Sequence, residues 1–206
     1  KKCGAHYLKT QYYHIEDLGI FDPILREKVA SCSLNLNQIS QLRELSEHDG
    51  LGFICTAMAT PKTLLEYVEF VHPAILKLRE ADARNVDMLS AAFRTRLPVI
   101  ASVDPRKGFF QKPEWNRDFF MLYCVPSYPP LYHNFDLESA LRFDGFSSHF
   151  PYVEPVVQFM RGVTKPIVWV ECHVRLDDDV SCVDFPVSLT FSEFEEVCRY
   201  ARQLSR

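Results

Sequence analysis

The sequence predicts a parallel α/β fold, and two observations carry that expectation. Short, nearly all-apolar runs recur along the chain, and each is followed by a stretch with helical spacing. Strands buried on both faces read as continuous apolar runs, and strand-then-helix alternation marks a parallel sheet covered by helices. Strands are expected at residues 6–13, 51–58, 74–78, 97–103, 119–125, 142–147 and 167–174. Helices are expected at Leu36–His48, with Ile39, Leu42 and Leu45 on one face, and at Pro61–Val71, behind Thr60 as N-cap and with proline first. Further helices fall at 85–94, 137–141, 153–162 and 192–205. Residues 191–204 form the clearest amphipath, setting Phe191, Phe194, Val197, Ala201 and Leu204 against Glu193, Glu196, Arg199 and Gln203. A doubly wound sheet and a closed barrel both fit this alternation.

Bulk properties narrow the function. The chain has 206 residues, 47% hydrophobic and 24% charged, enough apolar material for a sizeable core. A complete eight-fold barrel typically takes about 250 residues. The net charge of −4 argues against a nucleic-acid partner, because backbone binding needs clustered Lys and Arg. No apolar run approaches the roughly 20 residues of a membrane span, so no membrane partner is expected. Seven cysteines, with no CxxC pair, fit a reducing cytoplasm better than a disulfide framework. Nothing marks a second domain, so residues 1–206 read as one domain. Lys1-Lys2-Cys3-Gly4-Ala5 reads as a helix end stopped by glycine, as an excerpt of a longer protein would show.

Positions i and i+2 of a strand share a face. Lys9 and Gln11, Ser147 and His149, and Glu171 and His173 follow that spacing near strand ends, while Lys77 and Thr56 sit in two further strands. In a barrel such residues line the active site, and burying so many ionisable groups without a ligand is expensive. Each also has a plainer reading: a hydrogen-bonded strand-end histidine, a lysine that snorkels to a rim, a Tyr128 that packs its loop. Asp177-Asp178-Asp179 reads as a solvated loop because no calcium-loop spacing surrounds it. The irregular stretches 104–116 and 127–134 are where ligands would bind. No GxGxxG or P-loop pattern occurs among the seven glycines.

Taken in order, the motifs resemble the barrel domain of the sialic acid synthase family. Gly4-Ala5 with Leu8-Lys9-Thr10-Gln11 resembles Gly-Ala…Val-Lys-x-Gln, and Phe53-Ile54-Cys55-Thr56 resembles Phe-x-Ser-Thr-Pro. Leu76-Lys77-Leu78 stands for Tyr-Lys-Ile, and Pro98-Val99-Ile100-Ala101-Ser102 for Pro-Ile-Ile-x-Ser-Thr-Gly. Tyr123-Cys124-Val125 and Tyr128-Pro129-Pro130-Leu131-Tyr132 resemble His-Cys-Thr-x-x-Tyr-Pro-x-Pro-Tyr. Gly145-Phe146-Ser147-Ser148-His149 is similar to Gly-x-Ser-Asp-His, Glu171-Cys172-His173 to Glu-Lys/Arg-His, and Asp184 with Ser188-Leu189 to Gly-Pro-Asp…Ser.

This resemblance implies a (β/α)8 TIM-type barrel, lacking the family's first strand and its C-terminal antifreeze-like domain, and a possible homodimer. It implies an enzyme that condenses phosphoenolpyruvate with N-acetylmannosamine or a related amino sugar. His149 and His173 would hold Mn²⁺ or Mg²⁺, which polarises the sugar aldehyde. Lys9, Lys77 and Glu171 would form the catalytic set. Lys9 and Lys77, with Ser102, Ser147 and Thr56, would bind phosphoenolpyruvate, while Gln11, Tyr128 and Asp184 would contact the sugar. Departures from the motifs are Glu80-Ala81 where the family has Ser-Gly, Ser148 for Asp, Val125 for Thr and Pro126 where Asn is common. They keep two alternatives open: a non-catalytic barrel that binds a sugar or an anion, and an aldolase with Lys9 or Lys77 as Schiff-base nucleophile.

Overall fold

A computed structural model of the chain describes residues 4–108, 110–112, 118–165 and 169–204. The elements run β1 (Tyr7–Tyr12), α1 (Pro23–Ser31), α2 (Leu36–His48), β2 (Gly52–Ala57), α3 (Pro61–Val71), β3 (Leu76–Leu78), α4 (Glu80–Ala83), α5 (Val86–Arg94), β4 (Val99–Val103), β5 (Phe119–Cys124), α6 (Leu137–Ala140), β6 (Gly145–Ser148), α7 (Glu154–Gly162), β7 (Trp169–Arg175), β8 (Ser188–Thr190) and α8 (Phe191–Leu204). They form two compact units, one built on β1 to β3 with β4 up to Ala101, and one on β5 from Phe120 to β8 together with the end of β4. In each, strand order follows chain order and the strand pairs are parallel.

In the first unit, β1 and β2 pair in register, with Lys9 opposite Ile54 and Gln11 opposite Thr56. Thr56 then stands opposite Lys77, and Lys77 opposite Ile100. Local chemistry starts three of the helices: Asn35 caps α2 through a capping box with Gln38, Thr60 caps α3, and Asn85 caps α5. The buried face of α2 is Ile39 and Ser46, while Leu45 is exposed, so the expected Ile39–Leu42–Leu45 face is turned by part of a turn. Arg43 explains the turn: it faces inward to donate to the Val71 carbonyl at the end of α3.

In the second unit the sheet carries two different faces. Tyr123, Phe146, Phe150 and Leu189 pack with Val156, Phe159 and Met160 of α7 and Val197 of α8. Phe146 lies at the centre of this cluster, within aromatic contact of Tyr123, Phe135, Phe150 and Phe159. The opposite face carries Leu122 and Cys124 of β5, Gly145 and Ser147 of β6, and Glu171 of β7, tied by the register Leu122–Gly145, Cys124–Ser147 and Ser147–Glu171. Gly145 is required at that crossing, because a Cβ there would run into the Trp169 carbonyl and the Leu122 side chain.

Three elements escaped the sequence. Helix α1 has no buried residue, so it shows no apolar period; its signals are Asp22, which caps Ile24 and Leu25, and Pro23 behind it. Helix α4 is a single turn, and β8 has only three residues. The six described cysteines are free thiols, and burial pushes that of Cys55 up to about 12, so it acts as a small apolar side chain. Asp177 is more than a solvated residue, because it accepts from the Phe191 N–H at the start of α8. No helix among the described residues is long and apolar enough to cross a membrane. Cys3 and the proposed helix end at residues 1–3 lie outside the described residues, as do 205–206 at the end of the last expected helix, 166–168 at the start of the seventh expected strand, and 109 and 113–117 in the 104–116 loop.

Gly145→Val is expected to destabilise the second unit by about 3 kcal/mol, because backbone cannot rotate out of the way of the new side chain. Urea unfolding followed by circular dichroism measures this; an unchanged midpoint would show that β6 and β7 do not approach so closely.

Candidate active site

The register of the second unit assembles one group of the expected residues. Ser147 and Glu171 are opposite one another on paired strands, and His149 and His173 lie one pleat further along the same two chains. The two imidazoles meet accordingly, with ring centroids 5.2 Å apart. Tyr128 comes to them from the loop after β5, its ring 4.4 Å from that of His149 and 6.1 Å from that of His173. Asp184 approaches from the other side, its Oδ2 3.3 Å from Nδ1 of His173.

Each of these side chains is held from behind. Nδ1 of His149 lies 3.0 Å from the Val125 carbonyl, which can only accept, so that nitrogen carries the proton. Nε2 is left with its lone pair and accepts from the Tyr128 hydroxyl at 3.2 Å. The Asp184 carboxylate likewise favours a proton on Nδ1 of His173, whose side chain is only 10% exposed. Asp184 itself is fixed at the head of a short turn: its carbonyl accepts from the Ser188 hydroxyl at 2.7 Å and from the Val187 N–H at 3.0 Å. The Tyr128 loop is closed by buried Tyr123, which donates to the Asn134 carbonyl and accepts from the Asp136 N–H.

Two adjacent imidazoles with acceptors behind their Nδ1 atoms leave Nε2 as the nitrogen that would take a divalent ion, that of His149 accepting here from Tyr128. Among the described residues no third His, Cys, Asp or Glu joins them in a metal-sized group, so the remaining positions would fall to water or substrate oxygens.

The first unit assembles the other group. Gln11, Thr56 and Lys77 stand side by side across β1, β2 and β3, with Lys9 one pleat back on the same face as Gln11. Lys77 is 5% exposed, and its ammonium donates to the Leu78 carbonyl at 3.2 Å. The hydroxyl of Thr56 is buried with no hydrogen-bond partner among the described residues, a cost that a polar ligand would remove. Ser102, also buried near the end of β4, belongs to the second unit and is not part of this group.

Two features beyond the expected set stand out. Glu80 and Arg84 form an ion pair at 2.6 Å with the carboxylate almost fully buried. Asp104 is buried too; burial alone would raise its pKa, but hydrogen bonds from Arg106 hold the carboxyl below its usual range. Motif spelling could flag Glu80 as unusual, but not its partner. An arginine four residues on is the only sequence signal of the pairing.

Comparison with known proteins places the chain. It belongs to the NeuB family, whose model matches residues 1–206. It is 28% identical to an uncharacterized Methanocaldococcus jannaschii protein, MJ1065, with all of this chain aligned to 64% of that protein's length. The chain therefore spans less than two thirds of that relative. The structure is similar to the N-acetylneuraminic acid (sialic acid) synthetase of Leptospira borgpetersenii, solved with citrate, at TM-score 0.81 and 21% identity over 99% of this chain and 74% of that one. It also matches the Bacillus subtilis spore coat polysaccharide biosynthesis protein spsE at TM-score 0.72 and 18% identity, over 98% and 60% of the two chains. A DAHP synthase from Thermotoga maritima follows at TM-score 0.67 and 17% identity, covering 99% and 61%. The fold is thus the α/β, TIM-type barrel fold, here with eight parallel strands among the described residues.

The hydrogen bonding around the imidazoles has a direct readout. Long-range ¹H–¹⁵N correlation at a pH above the ordinary histidine range is expected to show both rings protonated on Nδ1 and bare on Nε2. A proton on Nε2 of His149 would contradict the Val125 contact.

Proposed function

We propose that the chain is the barrel part of a synthase that condenses phosphoenolpyruvate with N-acetylmannosamine or a related amino sugar, yielding a sialic-acid-type nonulosonic acid. The observation that carries this is the His149–His173 pair, with both Nδ1 atoms facing acceptors. Family membership and a fold shared with sugar-biosynthesis proteins support it.

In this reading His149 and His173 hold Mn²⁺ or Mg²⁺, which supplies Lewis-acid polarisation of the open-chain sugar's aldehyde oxygen. Lys9 and Lys77, with Thr56, Ser102 and Ser147, bind the phosphate and carboxylate of phosphoenolpyruvate and offset its charge. The unpartnered Thr56 hydroxyl beside Lys77 is the donor pair such an anion needs. Gln11, Tyr128 and Asp184 orient the sugar. The enol carbon of phosphoenolpyruvate bonds to the aldehyde carbon, water adds to the resulting cationic carbon, and phosphate leaves with the bridging oxygen. Glu171 shares the face of His173 and serves the proton transfers of these steps. The reaction belongs to the reducing cytoplasm, and a homodimer is the expected assembly.

A second reading, a barrel that binds a sugar or anion without turnover, draws on Glu80. A buried carboxylate beside the strand of Lys77 opposes an anionic ligand unless Arg84 neutralises it.

The native chain should bind Mn²⁺ with one-to-one stoichiometry, and His149→Ala and His173→Ala should each abolish that binding in calorimetric titration. Phosphate release from phosphoenolpyruvate should depend on both Mn²⁺ and added N-acetylmannosamine. Metal uptake indifferent to both substitutions would refute the metal site, whereas metal binding without phosphate release for any amino sugar would favour the second reading.

A further inference from the structure

Resting on the reading that His149 and His173 hold a divalent cation, we infer that the hydroxyl of Tyr128 competes with that cation for Nε2 of His149. Loading of the imidazole pair and the position of Tyr128 are thereby coupled.

The chemistry of one nitrogen drives this. Nε2 of a neutral imidazole has a single in-plane lone pair, which can accept a hydrogen bond or coordinate a metal but cannot do both. In the structure that lone pair faces the Tyr128 hydroxyl at 3.2 Å. His149 cannot offer its other nitrogen instead, because Nδ1 is turned to the Val125 carbonyl at 3.0 Å. The ring of Tyr128 lies against both imidazoles, at 4.4 Å and 6.1 Å, so the phenol stands beside both rings of the pair.

Tyr128 is built to give way. It is 52% exposed and sits in the 127–134 loop, whose far end is fixed by the Tyr123 contacts with Asn134 and Asp136. The hydroxyl can therefore swing outward while the loop ends stay in place. A cation on His149 releases the phenol from Nε2, and the released hydroxyl becomes available to a sugar. Tyr128 is thus a positioning residue that links loading of the ion to the shape of the acceptor pocket.

The test uses the intact chain and the metal alone. Removing the competing hydrogen bond in Tyr128→Phe should tighten Mn²⁺ binding about three- to tenfold in calorimetric titration, the worth of one net hydrogen bond. With 3-fluorotyrosine placed at position 128, saturating Mg²⁺ should move the ¹⁹F resonance in the native background and leave it unmoved with His149→Ala. Unchanged Mn²⁺ affinity in Tyr128→Phe overturns the inference while leaving the metal site standing. Weaker affinity also overturns it, and makes the phenol a ligand. Loss of the underlying reading looks different: native chain, His149→Ala and His173→Ala would then titrate alike.

Discussion

The arrangement in the second unit depends on in-register parallel pairing of β5, β6 and β7. Because side chains alternate along each strand, a register that sets Ser147 against Glu171 also brings His149 level with His173. A slip of one residue would send both imidazoles into the aromatic core under α7 and α8 and bring Phe146 and Phe150 to the other face. The size of that core is what forbids the slip. Phe146, Phe150 and Phe159 are fully buried, and their exposure would cost several kcal/mol by area alone. Gly145 completes the constraint by letting the backbones of β6 and β7 come close where a Cβ would strike the Trp169 carbonyl.

Much of this was legible in the sequence, for definite reasons. Apolar runs and caps located seven strands and six helices because burial on both faces and N-cap chemistry leave local traces, as at Thr60-Pro61. Period-two spacing singled out Ser147 with His149 and Glu171 with His173, and the rings do meet. What periodicity cannot carry is contact made by backbone or by distant turns. The Val125 carbonyl behind His149 has no residue-type signature, and α1 is invisible to a burial-based reading because it buries nothing. Strand β8 was missed for a third reason: three residues are too few to show alternation.

The motif departures divide once their faces are known. Val125 is fully buried in the helix-packed core, so its change of side chain leaves the imidazole face untouched while its carbonyl supports His149. Ser148 points the same way and its hydroxyl accepts from the Phe150 N–H, which anchors the chain just past His149. Neither substitution removes a group from the site face. Glu80 differs in kind. Its carboxylate is buried at the start of α4, directly after the strand that bears Lys77, and is held by Arg84.

That contrast sets the Glu80 departure, in the first unit, apart from Val125 and Ser148, whose side chains lie away from the imidazole face of the second. Burying the Glu80 carboxylate is expensive, and its pairing with the part-exposed Arg84 offsets that cost while adding little net stability. The pair adds no net charge next to the strand of Lys77, and it stands where the sialic acid synthase motif has Ser-Gly. A phosphate can be accommodated there only if the Arg84 guanidinium turns from Glu80 toward it, or if Lys9 and Lys77 suffice with Thr56. The second arrangement asks for no rearrangement, since the Thr56 hydroxyl is already buried without a partner and stands opposite Lys77 in the sheet. In the proposed reading, anion binding therefore leans on the strand residues and less on the helix that follows them.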